Sequence, residues 1–294
     1  MLITHDVDEL RARVGEQRRK GRRVAFVPTM GNLHAGHYSL ISTAREYGDF
    51  IVASIFVNPT QFGVNEDFSR YPRTPQEDAL GLEKHHCDLL FTPEVDCVYP
   101  FGAEHGVRVS VPELGDVLEG AKRPGHFDGV ASVVSRLFNL VQPDVAIFGS
   151  KDYQQLLVIR RLSADLGFPV EIVGAPIVRE SSGLAMSSRN QYLDAGQREQ
   201  AAEIRATLEW VSKQLDEVLA EEQRRKDMLA EIESSAMQRL VDAGFEPDYV
   251  AIRSAADLGP VSAEVDEALV ILIAARLGSV RLIDNLEWSI PTMV

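Results

Sequence analysis

Short apolar runs alternate with amphipathic stretches along about the first 180 residues of the chain. The runs at 24–27 (VAFV) and 50–57 (FIVASIFV) are typical of parallel strands that are buried on both faces. The pattern predicts further strands at 89–92, 145–148 and 169–173, and helices at 36–48, 74–86, 129–141 and 151–166. This alternation predicts an α/β fold with a Rossmann-like, doubly wound parallel sheet.

The pattern changes after about residue 190. Residues 194–243 are rich in Ala, Glu, Gln, Arg and Leu and predict two helices, with the charged run 221–227 (EEQRRKD) as a solvated face or turn between them. Strands are predicted at 249–253, 268–274 and 280–286. Helices followed by strands predict a smaller α+β domain. We therefore expect two domains, 1–183 and 184–294, with the second domain acting as a lid.

Composition narrows the classes of function. The chain has 294 residues and a formal net charge of -14, which argues against nucleic acid or an anionic membrane as the main partner. It does not exclude an anionic small substrate held by a local cluster of cations. No apolar run approaches the ~20 residues that a membrane helix needs, and the charged N-terminal stretch does not resemble a signal peptide. With two cysteines that fit no disulfide framework or zinc motif, we expect a cytoplasmic protein with two ordinary thiols.

The segment after the first long strand, residues 28–37 (PTMGNLHAGH), carries the most specific pattern. It leaves the carboxyl end of a predicted buried strand and enters a predicted helix, which is where open α/β sheets bind ligands. Its glycines Gly31 and Gly36 allow close backbone approach. His34 and His37 lie at the helix start, where exposed N–H groups and the helix dipole favour an anion. A structural pair of histidines or half a metal site is the alternative, but the context favours phosphate binding.

Two later clusters could share this crevice. Residues 148–155 (FGSKDYQQ) again join a predicted strand to a predicted helix, and the spacing of Lys151 and Gln155 predicts that both lie on one helix face. Residues 186–189 (MSSR) supply hydroxyls and a guanidinium that suit phosphate oxygens. Taken alone, each cluster is more simply a polar surface loop. The sequence contains no P-loop, no G-x-G-x-x-G after the first strand, no H-E-x-x-H and no G-x-S-x-G.

Together the H-x-G-H loop and the later M-S-S-R segment resemble the nucleotidylyltransferase superfamily. A narrower resemblance, to the pantoate–β-alanine ligase family, extends over the whole chain and is densest in its first 193 residues. It rests on PTMGNLHAGH at 28–37, FVNPTQF at 56–62, RPGHFDGV at 123–130, FGSKDYQQ at 148–155 and GLAMSSRNQYL at 183–193. Ser150 departs from the family pattern, in which an acid is expected beside the lysine.

The resemblance implies an ATP-dependent ligase that activates pantoate as pantoyl-adenylate and then joins it to β-alanine. It places His34, His37, Lys151 and Arg189 in catalysis, with His37 as a candidate proton donor to the leaving group. Gln61 and Gln155 are expected to hold pantoate, and Gln61 also β-alanine. The expected ATP site is formed by Met30, Gly31, Asn32, Leu33, His34, Ala35, Gly36, His37, Gly149, Ser150, Lys151, Asp152, Val178, Met186, Ser187, Ser188 and Arg189.

Magnesium is expected to arrive with ATP and to be held mainly by the nucleotide. Glu77 and Asp78 are candidates for a protein contact to this ion, but a solvated helix face is the favoured interpretation of both. The family resemblance also implies a homodimer. Two alternatives remain open at this stage: an adenylyltransferase that transfers AMP permanently to a cofactor precursor, and a nucleotide-binding module without catalysis.

Overall fold

The chain divides into two compact units, Met1–Ile177 and Val178–Val294. In this computed structural model, residues 1–63, 68–218, 225–261 and 268–289 are described. Each unit is built around its own sheet. Among the described residues, no helix has the length and apolarity needed to cross a membrane.

The first unit contains a six-stranded sheet in which every pairing is parallel. Its strands are β1 (Leu2–Thr4), β2 (Val24–Thr29), β3 (Phe50–Ile55), β4 (Leu89–Phe91), β5 (Val145–Gly149) and β6 (Glu171–Ala175), in the spatial order β1-β4-β3-β2-β5-β6. The predicted doubly wound parallel sheet is confirmed. The edge strand β1 was not predicted, because its three residues (LIT) lack the continuous apolar run that marks the equally short β4 (LLF).

Helices connect these strands: α1 (Val7–Arg19), α2 (Ala35–Tyr47), α3 (Pro75–Lys84), α4 (Val95–Val98), α5 (Glu119–Lys122), α6 (His126–Val141) and α7 (Tyr153–Asp165). One boundary matters for the site. The helix predicted from residue 151 begins as a 3-10 turn, Ser150–Asp152, and α7 starts only at Tyr153, because Asp152 adopts a non-helical φ of -92° and ψ of 60°. The prediction that Lys151 and Gln155 share one α-helix face is therefore wrong.

The order of the strands creates a crevice beside β2. From β2 the chain winds outward through β3 and β4, and β5 then pairs with the other side of β2. The connections leaving β2 and β5 therefore run to opposite sides, and they separate at the carboxyl ends of these strands. Ligands of open α/β sheets bind at such a switch point. The residues that leave the two strands here are Met30 and Ser150.

The described part of the second unit contains a three-stranded antiparallel sheet, β7 (Glu246–Ser254), β8 (Leu269–Leu277) and β9 (Val280–Trp288). Its described helices are α8 (Ala195–Gln200), α9 (Glu203–Val218) and α10 (Arg225–Asp242). Alternate residues of β8, including Leu269, Ile271 and Ile273, join the core with α9 and α10. The predicted α+β arrangement is confirmed. The two predicted helices correspond to α9 and α10, and the charged run 221–227 lies partly outside the described residues.

A glycine brings α6 against the segment after β3. This segment is a 3-10 turn, Pro59–Gln61. A Cβ atom added to Gly129 of α6 would lie 2.4 Å from the Thr60 carbonyl oxygen and 2.6 Å from the Gln61 nitrogen. Such distances are too short for any side chain larger than hydrogen, so Gly129 sets the separation between α6 and Gln61.

We expect Gly129→Ala to destabilise the first unit by about 1–3 kcal/mol, because the added methyl group overpacks a backbone contact that cannot yield easily. The matched control is Gly15→Ala in α1, where the nearest atom to an added Cβ is 3.5 Å away. That change should stabilise the protein by about 0.5–1 kcal/mol. Denaturant unfolding followed by far-UV circular dichroism measures the change in stability of both variants. Tryptophan fluorescence is unsuitable, because both tryptophans, Trp210 and Trp288, lie in the second unit. Equal effects of the two substitutions would contradict the close packing at Gly129.

Candidate active site

Two histidines form the N-terminal cap of α2. His34 is the N-cap residue, and its Nδ1 accepts a hydrogen bond from the backbone N–H of Gly36 at 3.1 Å. In return, Nδ1 of His37 accepts from the backbone N–H of His34 at 3.3 Å. This is the reciprocal arrangement of a capping box, built from imidazoles in place of the usual hydroxyl and carboxylate. The predicted helix start is confirmed, and both rings are fixed by the backbone.

The cap determines which nitrogen of each ring carries the proton. A nitrogen that accepts a hydrogen bond from an N–H group has no proton of its own, so each neutral ring is protonated at Nε2. The ring centroids are 4.1 Å apart. Burial lowers the pKa of His37 to about 3, and the neighbouring His34 and Lys151 act in the same direction. At neutral pH, His37 is therefore an uncharged donor through Nε2–H.

Lys151 lies at the same switch point, in the 3-10 turn that follows β5. Its side chain is 20% exposed, and its Nζ is 3.8 Å from the carboxylate of Asp152. The contribution of Lys151 to the lowered pKa of His37 shows that its charge acts on the histidine pair. The hydroxyl oxygen of Ser150 would be 3.1 Å from a Cβ added to Gly174 of β6. The first unit thus brings together the Lys151 cation, the neutral His37 ring and the neighbouring His34 ring.

Gln61 is buried and contacts the histidine loop. Its Nε2 donates to the sulfur of Met30 at 3.0 Å. Its Oε1 accepts from Nδ2 of Asn58 at 3.1 Å, which fixes the orientation of the amide. The Gln61 carbonyl oxygen is 2.9 Å from Nδ1 of His126, whose other ring nitrogen faces Arg123. The motifs at 56–62 and 123–130 therefore meet at Gln61, next to the predicted ATP loop.

The residue that holds Gln61 was not identified from the sequence. Asn58 is 1% exposed. Its Nδ2 also donates to the Gly129 carbonyl at 3.1 Å, and its Oδ1 accepts from the hydroxyls of Tyr99 at 2.7 Å and Thr60 at 3.0 Å. The available signal was an Asn directly before Pro, because Asn58 caps the Pro59–Gln61 turn by accepting from the Thr60 N–H, and Asn is a common N-cap residue.

The two neighbouring glutamines of α7 differ in their surroundings. Gln154 is buried, and its amide bonds to the backbone of Leu114, Val117 and Glu119. Gln155, the residue predicted to bind a substrate, is only partly buried. Gln154 therefore holds the segment 114–119 in place, and Gln155 is the more accessible of the two side chains.

The segment Met186–Arg189 belongs to the second unit. It follows a narrow hairpin in which Arg179 pairs with Ala185 and the N–H of Met186 donates to the Val178 carbonyl at 2.9 Å. Ser187 caps the next 3-10 turn by accepting from the N–H of Arg189 at 3.3 Å. The hairpin is tied to β9, because Arg179 makes two hydrogen bonds to the buried carboxylate of Asp284, at 2.6 and 3.0 Å.

Comparisons with known proteins agree with this arrangement. Residues 2–287 match the family described as Pantoate-beta-alanine ligase. The chain belongs to the pantoate–β-alanine ligase family. Pantothenate synthetases from Xylella fastidiosa (strain M12) and Chromohalobacter salexigens are 57% and 53% identical to it. The alignments cover 96% of this chain and 98% of the first relative, and 99% of this chain and 100% of the second.

Solved structures of the family have the same fold. Pantothenate synthetase from Thermus thermophilus is 46% identical, with a TM-score of 0.84 over 97% of this chain and 99% of that one. The pantoate–β-alanine ligase from Francisella tularensis is 32% identical, with a TM-score of 0.75 over 97% of each chain. That structure is described as a complex with β-γ ATP and β-alanine.

The structure corrects the interpretation of Asp78 as part of a solvated helix face. Sequence analysis favoured a solvated helix face for Glu77 and Asp78, and Glu77 is indeed exposed. Asp78, however, is 2% exposed. Its carboxylate accepts the backbone N–H groups of Asn32 at 2.9 Å and Leu33 at 2.7 Å, and the hydroxyl of Thr74 at 3.1 Å. The prediction of a solvated Asp78 is wrong, because the residue faces the histidine loop.

The cysteines lie apart from this chemistry. Both are free thiols. Burial raises the pKa of Cys87 to about 12, so its thiolate is scarce at neutral pH. Burial also raises the pKa of Cys97. Within the described ranges, no group of three or more His, Cys, Asp or Glu side chains is placed to hold a metal ion.

The lowered pKa of His37 predicts a loss of stability in acid. Between its usual pKa of 6.5 and the folded value of about 3, the unfolded chain binds a proton that the folded chain does not. The free energy of unfolding therefore falls as pH is lowered through this window, by up to about 2 kcal/mol at pH 5 from this one group. His37→Gln should lose less stability than the parent between pH 7 and pH 5.

Denaturant unfolding at the two pH values measures this effect. His105→Gln, at an exposed position, controls for the loss of a histidine from the chain. If His37→Gln shows the same loss of stability in acid as the parent, His37 is not held neutral in the folded protein.

Proposed function

We propose that the protein is an ATP-dependent ligase that condenses pantoate with β-alanine through a pantoyl-adenylate intermediate. A carboxylate oxygen of pantoate attacks the α-phosphorus of ATP, and the bond from this phosphorus to the bridging oxygen breaks, which releases pyrophosphate. The amine nitrogen of β-alanine then attacks the acyl carbon. The bond from this carbon to the AMP oxygen breaks, the amine loses a proton, and pantothenate and AMP are the products.

One observation carries this proposal: the switch-point crevice gathers His34, His37 and Lys151 next to Gln61. The first step moves negative charge onto the leaving pyrophosphate. Fixed donors aimed at developing charge stabilise such a transition state without reorganising, and they act most strongly where water is excluded. The imidazole N–H donors of the two histidines and one cation suit this task. In this proposal His37 donates a hydrogen bond to the leaving group as a neutral ring.

The remaining ATP contacts come from three segments. Residues 30–37 form the loop and helix start against the phosphates, and residues 149–152 carry Lys151. Val178 and the segment Met186–Arg189 complete the site in this proposal, with Arg189 neutralising phosphate charge. Ser150 replaces the acid expected in the family pattern. In this proposal, the loss of the acid's charge at this position changes the local electrostatics and leaves the reaction the same.

The binding of pantoate and of β-alanine is assigned to two glutamines. Gln61 and Gln155 bind pantoate in this proposal, and Gln61 also contacts β-alanine. The buried Asn58 supports the role of Gln61, because it presents the amide in one orientation. Gln61 also lines a cavity of about 520 Å³ whose wall includes Arg123 and His126. This volume lies in the range of small-molecule sites, and the cavity offers the amine a path to Gln61.

Several assignments follow from family membership and composition. Magnesium enters with ATP, whose phosphate oxygens are the hard ligands that this ion prefers. The protein works in the cytoplasm as a homodimer, and neither nucleic acid nor a membrane is a partner. The net charge of -14 supports the last assignment, since it opposes association with polyanions.

The second unit, Val178–Val294, acts as a lid in this proposal. The supporting observation is that the hairpin before Met186 is anchored to the second unit's own sheet through Arg179 and Asp284. A movement of this unit therefore carries Ser187, Ser188 and Arg189 with it as one body. Closure would protect the adenylate from hydrolysis by excluding water.

We expect amide hydrogen exchange at residues 183–193 to slow when ATP and pantoate bind together, because closure removes this segment from solvent. Mass spectrometry of peptides from the full chain measures the change. Peptides from the helix α1 provide the internal control. If residues 183–193 exchange at the same rate with and without both substrates, the lid assignment is wrong.

The experiment that tests the function is exchange of labelled pyrophosphate into ATP. The ligase catalyses this exchange with pantoate and without β-alanine, because adenylate formation is reversible. A cofactor adenylyltransferase would need a different acceptor, and a nucleotide-binding module would show no exchange with any acid. Absence of pantoate-dependent exchange in the parent would rule out the proposed function.

Lys151→Met tests the role of the cation in the same assay. Methionine preserves much of the length and removes the charge, so the exchange rate at saturation should fall by about 10²–10³-fold. The KM for ATP should change much less, because the charge acts mainly in the transition state. Lys84→Met, at an exposed position of α3, is the matched control. A raised KM with normal turnover would instead make Lys151 a binding group only.

A further inference from the structure

The reaction proposed above makes no direct use of one buried charged group beside the site. The carboxylate of Asp78 in α3 receives three hydrogen bonds, and both of its oxygens are occupied. Oδ2 accepts from the Asn32 N–H, and Oδ1 accepts from the Leu33 N–H and the Thr74 hydroxyl. Hydrogen bonds to a charged group are the stronger kind, and their loss in a buried position is costly. Asp78 therefore fixes the course of the loop at residues 31–33.

The backbone of this loop has a conformation suited to binding an anion. Gly31 and Asn32 have consecutive positive φ angles, 86° and 51°. Successive N–H groups in such turns point into one concavity, which commonly binds a phosphate or another anion. Here the anion in the concavity is the side chain of Asp78. The N–H groups of Asn32 and Leu33 therefore form hydrogen bonds within the protein.

The first N–H groups of α2 also form hydrogen bonds within the protein. The N–H of Gly36 donates to His34 Nδ1, and those of His37 and Tyr38 donate to the His34 carbonyl, at 2.8 and 3.1 Å. Besides these backbone donors, the loop carries the Nε2–H groups of its two histidines, whose Nδ1 atoms accept from the backbone. Their direction depends on the path of the loop, since the rings are fixed to its backbone.

The fit of α3 against this loop is close. A Cβ added to Gly31 would lie 3.1 Å from Asp78 Oδ2, in addition to the strain at a positive φ. One turn after Asp78, a Cβ added to Gly81 would lie 2.0 Å from the Tyr38 hydroxyl oxygen. Tyr38 belongs to α2 and stacks on His85 with ring centroids 4.4 Å apart. The packing of α2 on α3 therefore leaves Asp78 little freedom to move away from the loop.

We propose that Asp78 is a positioning residue for adenylate formation. Its carboxylate holds residues 31–33 and so sets the direction of the Nε2–H groups of His34 and His37 toward the leaving pyrophosphate. The inference rests on the proposed function, because it assigns the histidines to that leaving group. It predicts that Asp78 acts on the first half-reaction alone. The second half-reaction takes place after pyrophosphate has left.

The test compares Asp78→Asn with Glu77→Gln in the full-length protein. Asparagine has the same shape but cannot accept at both oxygen positions, whereas Glu77→Gln removes one charge from the adjacent, exposed position. Pantoate-dependent pyrophosphate exchange by Asp78→Asn should fall by about 10²-fold, the effect of a small misplacement of catalytic groups. Glu77→Gln should keep the parent rate.

The second half-reaction separates positioning from general damage. Pantoyl-adenylate supplied with β-alanine should yield pantothenate at the parent rate in both variants. A further variant, Thr74→Val, removes one partner of Asp78 and leaves the two backbone contacts intact. It should lower exchange by only about fivefold, the effect of one ordinary hydrogen bond. Circular dichroism of each variant shows whether the fold is retained.

The possible outcomes are distinct. Parent-like exchange by Asp78→Asn would overturn the inference, and so would an equal loss in both half-reactions, which would indicate damage to the whole site. Loss of exchange in Glu77→Gln would overturn it as well, because charge alone would then be responsible. If the parent itself shows no pantoate-dependent exchange, the failure lies in the proposed function and not in the role of Asp78.

Discussion

Strand β2 is the shared boundary of the two halves of the parallel sheet, and the placement of the site depends on this arrangement. Because β3 and β5 pair with opposite edges of β2, the connections that leave β2 and β5 must separate at their carboxyl ends. The histidine loop leaves one of these strands and the Lys151 turn leaves the other. The sheet thus brings together residues that lie far apart along the chain.

Polar side chains then fix the conformation of the segments that carry the candidate site residues. Asn58 holds Gln61, Asp78 holds residues 31–33, and Arg179 with Asp284 holds the hairpin before Met186. In each case a buried polar group bonds to the backbone or to another polar side chain. Buried polar groups are costly when their partners are missing, so each of these contacts is specific as well as stabilising. The candidate site residues are held by residues behind them.

The sequence was sufficient for the parallel sheet because its strands are continuous apolar runs and its helices are periodic. It was also sufficient for the start of α2, where the histidines follow a strand directly. The contact of Asp78 with the loop could not be predicted, because residues 32 and 78 meet only through tertiary packing. The same sequence signal, an acid in the first turn of a helix, is typical of a solvated position. The turn at Ser150–Asp152 was missed because the helical periodicity of α7 does not reveal the break at Asp152.

The two imidazoles that cap α2 serve both the start of the helix and, in the proposed reaction, the contact with the leaving group. Each ring uses Nδ1 to complete the helix start, and the proposed reaction assigns Nε2 to the leaving group. An asparagine could reproduce the acceptor but would present a different outward donor, and a serine would complete the cap and offer nothing beyond it. A descendant of this chain that abandoned the reaction would therefore be under pressure to keep a cap at positions 34 and 37, although not a histidine.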